Sequence, residues 1–203
     1  MTRIILVRHG QTEWNKVERI RGQVDIALNK TGLAQAEATS ARLAEKWTPV
    51  AVYSSPLTRA MQTAEGIARR FGYAVQVAPG FIDINFGQWQ GLSPQQVHER
   101  WPEMARAWLT MPHTVTFPEG ENLQQVQERS MSALHNLIEL HPKQDVVVVA
   151  HTVVNRVVLC AVLGLDNSHH WNIGQEPCAL NVFRCHDGTF FVDSLNDTCH
   201  LEE

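Results

Sequence analysis

The chain has 203 residues, 44% of them hydrophobic and 19% charged, with a formal net charge of −4 at neutral pH. That balance supports a sizeable buried core and excludes disordered and collagen-like chains. A mildly acidic chain is also a poor match for an extended nucleic-acid-binding face, although a local basic pocket for a small anion remains compatible with it.

No apolar run reaches the length of a signal-peptide core or a membrane span, so no membrane partner and a cytoplasmic location are expected. Residues 3–7 form a short apolar run suited to a buried parallel strand. A helix is predicted over 31–47, with Leu33, Ala36, Leu43 and Ala44 near helical spacing, and a second strand over 50–53. Ser55-Pro56 reads as a helix start, with Ser55 as cap and the proline in the first turn, running to about residue 70 before Gly72. Residues 74–77 are a third strand.

The rhythm breaks over about 80–122, a stretch rich in Trp, Gly, Pro and Gln. Within it Ser93-Pro94 and Trp101-Pro102 each mark a short helix. We read this stretch as a small, largely helical insertion covering something. A long amphipathic helix follows over 122–141, then a strong central strand over 145–150 and a buried, nearly all-apolar helix over 152–163. Residues 180–185 and 189–194, joined by His186-Asp187-Gly188, make a final hairpin. Cys160, Cys178, Cys185 and Cys199 have no CxxC spacing and read as reduced thiols. Glu202-Glu203 reads as a solvated end.

This order predicts an α/β three-layer sandwich: a mostly parallel central sheet with helices on both faces, in one domain over 1–203. In such sheets the functional site lies beyond the carboxyl ends of the strands. Counting places His9 after the first strand and His151 after the strand ending at Ala150.

Around these two histidines the sequence supplies Arg8, Asn15, Arg59 and Asp83. Guanidinium groups fork onto phosphate oxygens, and Asn15 and helix-start N–H groups add neutral donors. A neutral imidazole can attack phosphorus if its other ring nitrogen donates, here to a backbone carbonyl. A second, cationic histidine would stabilise charge on the transferring group, and a carboxylic acid would protonate the leaving oxygen and then activate water. Cys178 and Arg184 match a Cys-x5-Arg spacing, but the residues between them are strand-like and lack glycine, so a cysteine-phosphatase loop is rejected. His169-His170 reads as surface. No metal or nucleotide motif is present in the sequence.

Leu6-Val7-Arg8-His9-Gly10-Gln11-Thr12 with Asn15 closely resembles the signature of the histidine phosphatase superfamily, in its phosphoglycerate-mutase-like branch. Further blocks in the family's order are Ser54-Ser55-Pro56-Leu57-Thr58-Arg59-Ala60, Phe86-Gly87-Gln88-Trp89-Gln90-Gly91, Gly120-Glu121-Asn122 and Val149-Ala150-His151. The resemblance implies that His9 carries the phosphoryl group, that Arg8, Asn15, Arg59 and His151 form the phosphate pocket, and that Gly22 and Thr152 touch phosphate or substrate. It implies no metal and no organic cofactor, and a small phosphomonoester as the binding partner. A homodimer, common among such proteins, would fit an exposed strand edge or an apolar helix.

Asp83 stands where the family commonly has Glu, Gln90 replaces a second carboxylate, and Thr152-Val153 replaces Gly-Gly. The tail and the stretch around Arg156 resemble metal-independent phosphoserine phosphatases, which makes His200 and Arg21 candidates for gripping a substrate carboxylate. Phe86, where such enzymes tend to have His, points to a different or broader substrate. Two alternatives stay open: a cofactor-dependent phosphoglycerate mutase, and a non-catalytic phosphate-binding subunit.

Overall fold

The computed structural model describes residues 1–201. Strand β1 (Thr2–Arg8) enters the centre of a six-stranded sheet. A one-turn helix α1 (Glu13–Lys16) and the long helix α2 (Lys30–Lys46) follow, then β2 (Ala51–Ser54), α3 (Thr58–Phe71) and the two-residue β3 (Gln76–Val77). Helices α4 (Pro94–Arg100) and α5 (Pro102–Thr110) lie in the insertion. Helix α6 (Leu123–Leu140), β4 (Asp145–Ala150), α7 (Thr152–Val162), β5 (Leu180–His186) and β6 (Thr189–Asp197) complete the order.

The strand order is β3-β2-β4-β1-β5-β6, with the first four parallel and β5 and β6 antiparallel. The central strands are continuous apolar runs because both faces are covered. Along β1, Ile4 and Leu6 face a core built with α6, α7 and the insertion, while Ile5 and Val7 face α2 and α3. Strand β4 alternates in the same way, Val146 and Val148 to one side and Val147 and Val149 to the other.

Two expected details differ. The buried side of α2 is Ala36, Thr39, Ser40 and Leu43, whereas Leu33 is exposed. Small residues let α2 lie close on α3, where a Cβ on Gly66 would stand 3.7 Å from that of Ala36. The helix expected from Ser55-Pro56 begins at Thr58, and Leu57 offers it no side-chain cap. Asp25, from a distant loop, caps it instead: its two carboxylate oxygens accept from Thr58 N–H and Thr58 Oγ1, each at 2.7 Å.

The insertion helices begin where expected. Ser93 caps α4 in a reciprocal capping box with Gln96, and Pro102 opens α5. Asn122 caps α6 in the same reciprocal way with Gln125. The short turn Cys199–Leu201 packs on α2. Glu202-Glu203 lie outside the described residues.

Candidate active site

Strands β1 and β4 run side by side in parallel, with Arg8 opposite Ala150. The residues that follow them therefore meet. The His9 N–H donates to the Ala150 carbonyl at 3.0 Å, and the rings of His9 and His151 stand 5.2 Å apart, centre to centre. Both are buried. Nδ1 of His9 lies 2.7 Å from the Gly10 carbonyl oxygen, which can only accept. The proton is thus on Nδ1, and Nε2 keeps its lone pair. Gly10 in turn is held by Thr63 Oγ1, which accepts its N–H at 3.1 Å. The turn after β1 fits flush against the start of α2: a Cβ on Gly32 would come within 2.1 Å of the Gln11 carbonyl oxygen.

Arg8, His9, Asn15, Arg21, Gly22, Asp83 and Thr152 line one cavity of about 350 Å³. Thr12 donates to Asn15 Oδ1 through both its N–H, at 2.9 Å, and its hydroxyl, at 2.8 Å. The amide oxygen of Asn15 is thereby occupied and its NH2 group is left as donor. Gly22 adopts φ +52, and a Cβ there would meet Gln90 Oε1 at 2.3 Å and the Ile84 carbonyl oxygen at 2.9 Å. Gln90 Oε1 accepts from Gln23 N–H at 2.7 Å, so the residue that replaces the family's second carboxylate pins this loop.

Arg59, fully buried, donates to the carbonyls of Val24 at 2.9 Å and Gly22 at 2.7 Å, and to Asp83 Oδ2 at 3.0 Å. The same Asp83 oxygen is 3.7 Å from His151 Nδ1, while Oδ1 accepts from Ile84 N–H at 3.0 Å. Arg8 donates to the Gln175 carbonyl oxygen. Nε of Arg8, Nε of Arg59 and Nδ1 of His151 have no hydrogen-bond partner although all three are buried. Buried donors are rarely left unpaired. Their concentration beside His9, among guanidinium groups with one carboxylate, describes a cradle for an anion.

The electrostatics follow from burial. Desolvation, then Arg21, lowers Arg8 from 12.5 to about 10, so it stays charged at neutral pH. Desolvation, then Arg59 and Arg8, holds His9 well below 6.5, which keeps its imidazole neutral. Desolvation raises Asp83 from 3.8 against the opposing pull of Arg59 and Arg21, favouring the protonated acid. Burial of His151, with Arg59 and His9 beside it, pushes it well below 6.5, which favours the neutral ring.

The family description matched by residues 4–198 is the histidine phosphatase superfamily, branch 1. The chain belongs to that superfamily. It is 38% identical over 203 residues to Phosphoserine phosphatase 1 of Hydrogenobacter thermophilus, covering 100% of this chain and 96% of that protein. It is 36% identical over 203 residues to the metal-independent phosphoserine phosphatase of Arabidopsis thaliana, covering 99% of this chain and 84% of the relative. Its fold overlays Bacillus stearothermophilus YhfR with a TM-score of 0.95 at 27% identity, covering all of both chains. The enzyme class that goes with this membership is a phosphoric monoester hydrolase.

Within this histidine phosphatase, Arg59 and His151 lie behind the cavity wall, against Asp83, and one candidate residue lies elsewhere. His200 does not line the cavity. Its Nε2 sits 3.0 Å from Thr39 Oγ1, because the chain after β6 turns onto α2 instead of folding over the sheet end. His170 is buried, not on the surface, between Trp108 at 5.3 Å and Trp171 at 5.0 Å.

Three residues that position the site had no role in it assigned from the sequence. Ser55 Oγ is 2.7 Å from His151 Nε2 and orients that ring. Gln175, whose carbonyl holds Arg8, is itself fixed by Asn155 at 3.0 Å and Asn181 at 2.7 Å. Arg156 lines the cavity, donates to the Ile173 carbonyl at 2.8 Å and stacks 4.7 Å from the Trp171 ring. Ser55 and Arg156 sit inside motifs that were visible. Gln175 sits in none.

Proposed function

We propose that this chain, as one catalytic domain over 1–203 with its insertion at about 80–122, is a metal-independent phosphatase that hydrolyses small phosphomonoesters through a phosphohistidine on His9. The observation that carries the reading is the buried cradle: Arg8, Arg59 and His151 present unpartnered nitrogens beside a neutral His9 whose Nδ1 is already committed.

Nε2 of His9 attacks phosphorus, forming the N–P bond as the P–O bond to the leaving alcohol breaks. Asp83 gives its proton to the departing oxygen. Water then attacks phosphorus and its proton passes to the Asp83 carboxylate. The N–P bond breaks, releasing inorganic phosphate and restoring the lone pair on Nε2. Arg8, Arg59 and Asn15 bind the phosphoryl oxygens in both steps, with the loop at Gly22 and the α7 N-terminus at Thr152 closing the cradle. The dianion raises the affinity of His151 for a proton, so the ring charges when phosphate enters. Arg21 and Arg156, both on the cavity, are placed to meet a carboxylate such as that of phosphoserine.

The reading places the protein in the cytoplasm, in keeping with the buried thiols of Cys160, Cys178 and Cys185. Among the described residues no helix is long and apolar enough to cross a membrane. For a homodimer, the edge strand β6 with exposed Phe191 and Leu195 is the surface on offer. No observation favours the mutase: of the insertion's Arg100 and Arg106, neither lines the catalytic cavity.

The test is phosphate release in EDTA over a panel of phosphomonoesters that includes phosphoserine, 3-phosphoglycerate and p-nitrophenyl phosphate. Wild type should turn over in the chelator and His9→Ala should be at background. Equal rates in the two proteins would sink the reading.

A further inference from the structure

A second, larger cavity of about 800 Å³ opens beside the catalytic one, between α4, α5 and the turn around Trp171. Its walls are apolar, with Trp89, Val97, Ala105 and Leu109 among them. Polar groups are few: His98, Glu103 and Arg106.

The two cavities share three walls: Ile20, Trp108 and Trp171. Trp171 Nε1 donates to the Trp108 carbonyl at 2.7 Å, and Arg156 stacks on the Trp171 ring, so this shared wall is held in place. The insertion also carries the acid. Asp83 faces the catalytic cavity, Phe86 follows three residues later on the same cavity, and the Phe86 ring packs edge-on at 5.9 Å against Trp108. An alcohol leaving towards Asp83 is therefore released beside the wall that the two cavities share.

We propose that this apolar cavity is a leaving-group subsite, and that the preferred substrates are phosphomonoesters of alcohols with an extended hydrocarbon body. The proposal rests on the phosphohistidine phosphatase reading. The phosphoryl end sits at His9 and the hydrocarbon lies past Trp108 along α5. Leu109, 68% exposed, is then the outer lip of the subsite rather than an isolated apolar side chain on the surface.

The test is kcat/KM in EDTA for straight-chain alkyl phosphates from ethyl to octyl, kept below micelle formation. Leaving-group chemistry is nearly constant along this series, so chain length reads the subsite alone. In wild type kcat/KM should rise about two- to fourfold per methylene until the cavity fills. Ala105→Phe, which narrows the cavity, and Leu109→Glu, which charges its exposed lip with little risk to folding, should each flatten the rise and leave ethyl phosphate unchanged.

A flat or falling series, with ethyl phosphate and phosphoserine still hydrolysed by a His9-dependent route, overturns the subsite and leaves the phosphatase reading standing. A rise that persists undiminished in a folded Leu109→Glu also overturns it, because the chain then lies elsewhere. Loss of turnover on every ester in wild type removes the phosphatase reading and this proposal together.

Discussion

The end of the sheet at His9 and the insertion over it are built on opposite physical plans. At the sheet end, Arg8, His9, Arg59, Asp83 and His151 are all buried, and nearly every polar atom is assigned except the nitrogens left for an anion. In the insertion, Trp89, Val97, Ala105 and Trp108 leave apolar space beside them. The first region is over-determined by parallel strand register and hydrogen bonds, as a site that stabilises developing charge must be. The second is held by side-chain packing, which tolerates changes of shape at modest cost. On the proposed reading, chemistry and selectivity reside in separable parts of the molecule, joined at Trp108 and Trp171.

The sharpest way to break this separation is at Asp83, which belongs to both parts. Asp83→Asn removes the proposed proton donor and keeps the shape. It should lower kcat by about 10²- to 10⁴-fold on every ester, without changing the order of preference among them. A change of preference with little loss of rate would mean that Asp83 serves recognition instead.

Folding stability offers a second probe: the sheet end buries His9 and His151, and the tryptophan wall beside it buries His170, lowered from 6.5 to about 3, which adds to the same slope. His9 and His151 are held well below 6.5, so the unfolded chain takes up protons that the folded one refuses. Their contribution is whole above pH 6.5 and is lost as pH falls below it, at up to about 1.4 kcal/mol per pH unit for each proton. Asp83, raised from 3.8, has the opposite sign: its contribution is whole below 3.8 and fades as pH rises through its folded value. Urea unfolding from about pH 8 down to about pH 5 should show stability falling, and His151→Asn should reduce that slope. A slope identical in the two proteins would contradict the assignment of His151 as buried and neutral.

The smallest effect belongs to the tail. His200 contacts Thr39 on α2 and not the cavity, so His200→Ala should leave KM for phosphoserine within about twofold and cost under about 1 kcal/mol. A large rise in KM with kcat preserved would return the tail to the substrate site.

Much of the sheet end was legible in the sequence for a simple reason. Apolar runs at 3–7 and 145–150 predict parallel strands, and such strands deliver the residues just past their ends to one place. That logic reaches Arg8, His9 and His151, and the family motifs add Arg59, Asp83 and Asn15. What it could not reach is set by contacts distant along the chain. The cap of α3 comes from Asp25, the partner of His151 from Ser55, and the anchor of Arg8 from Gln175, each more than 30 residues away in sequence. The path of the tail depends on which surface the hairpin leaves nearest, which no local pattern encodes. The apolar cavity was hidden for a similar reason: in a sequence, a tryptophan such as Trp89 can serve as core or as lining, and only its packing decides.

The central claim is that phosphoryl passes through His9. The most direct measurement is alkaline quench and mass spectrometry of the protein during turnover of phosphoserine in EDTA, since phosphohistidine survives base and is lost in acid. The account predicts one phosphoryl group on the peptide containing His9, labile to acid and absent in His9→Ala. Phosphate release by wild type at full rate with no such adduct, or an adduct on any other residue, would contradict it.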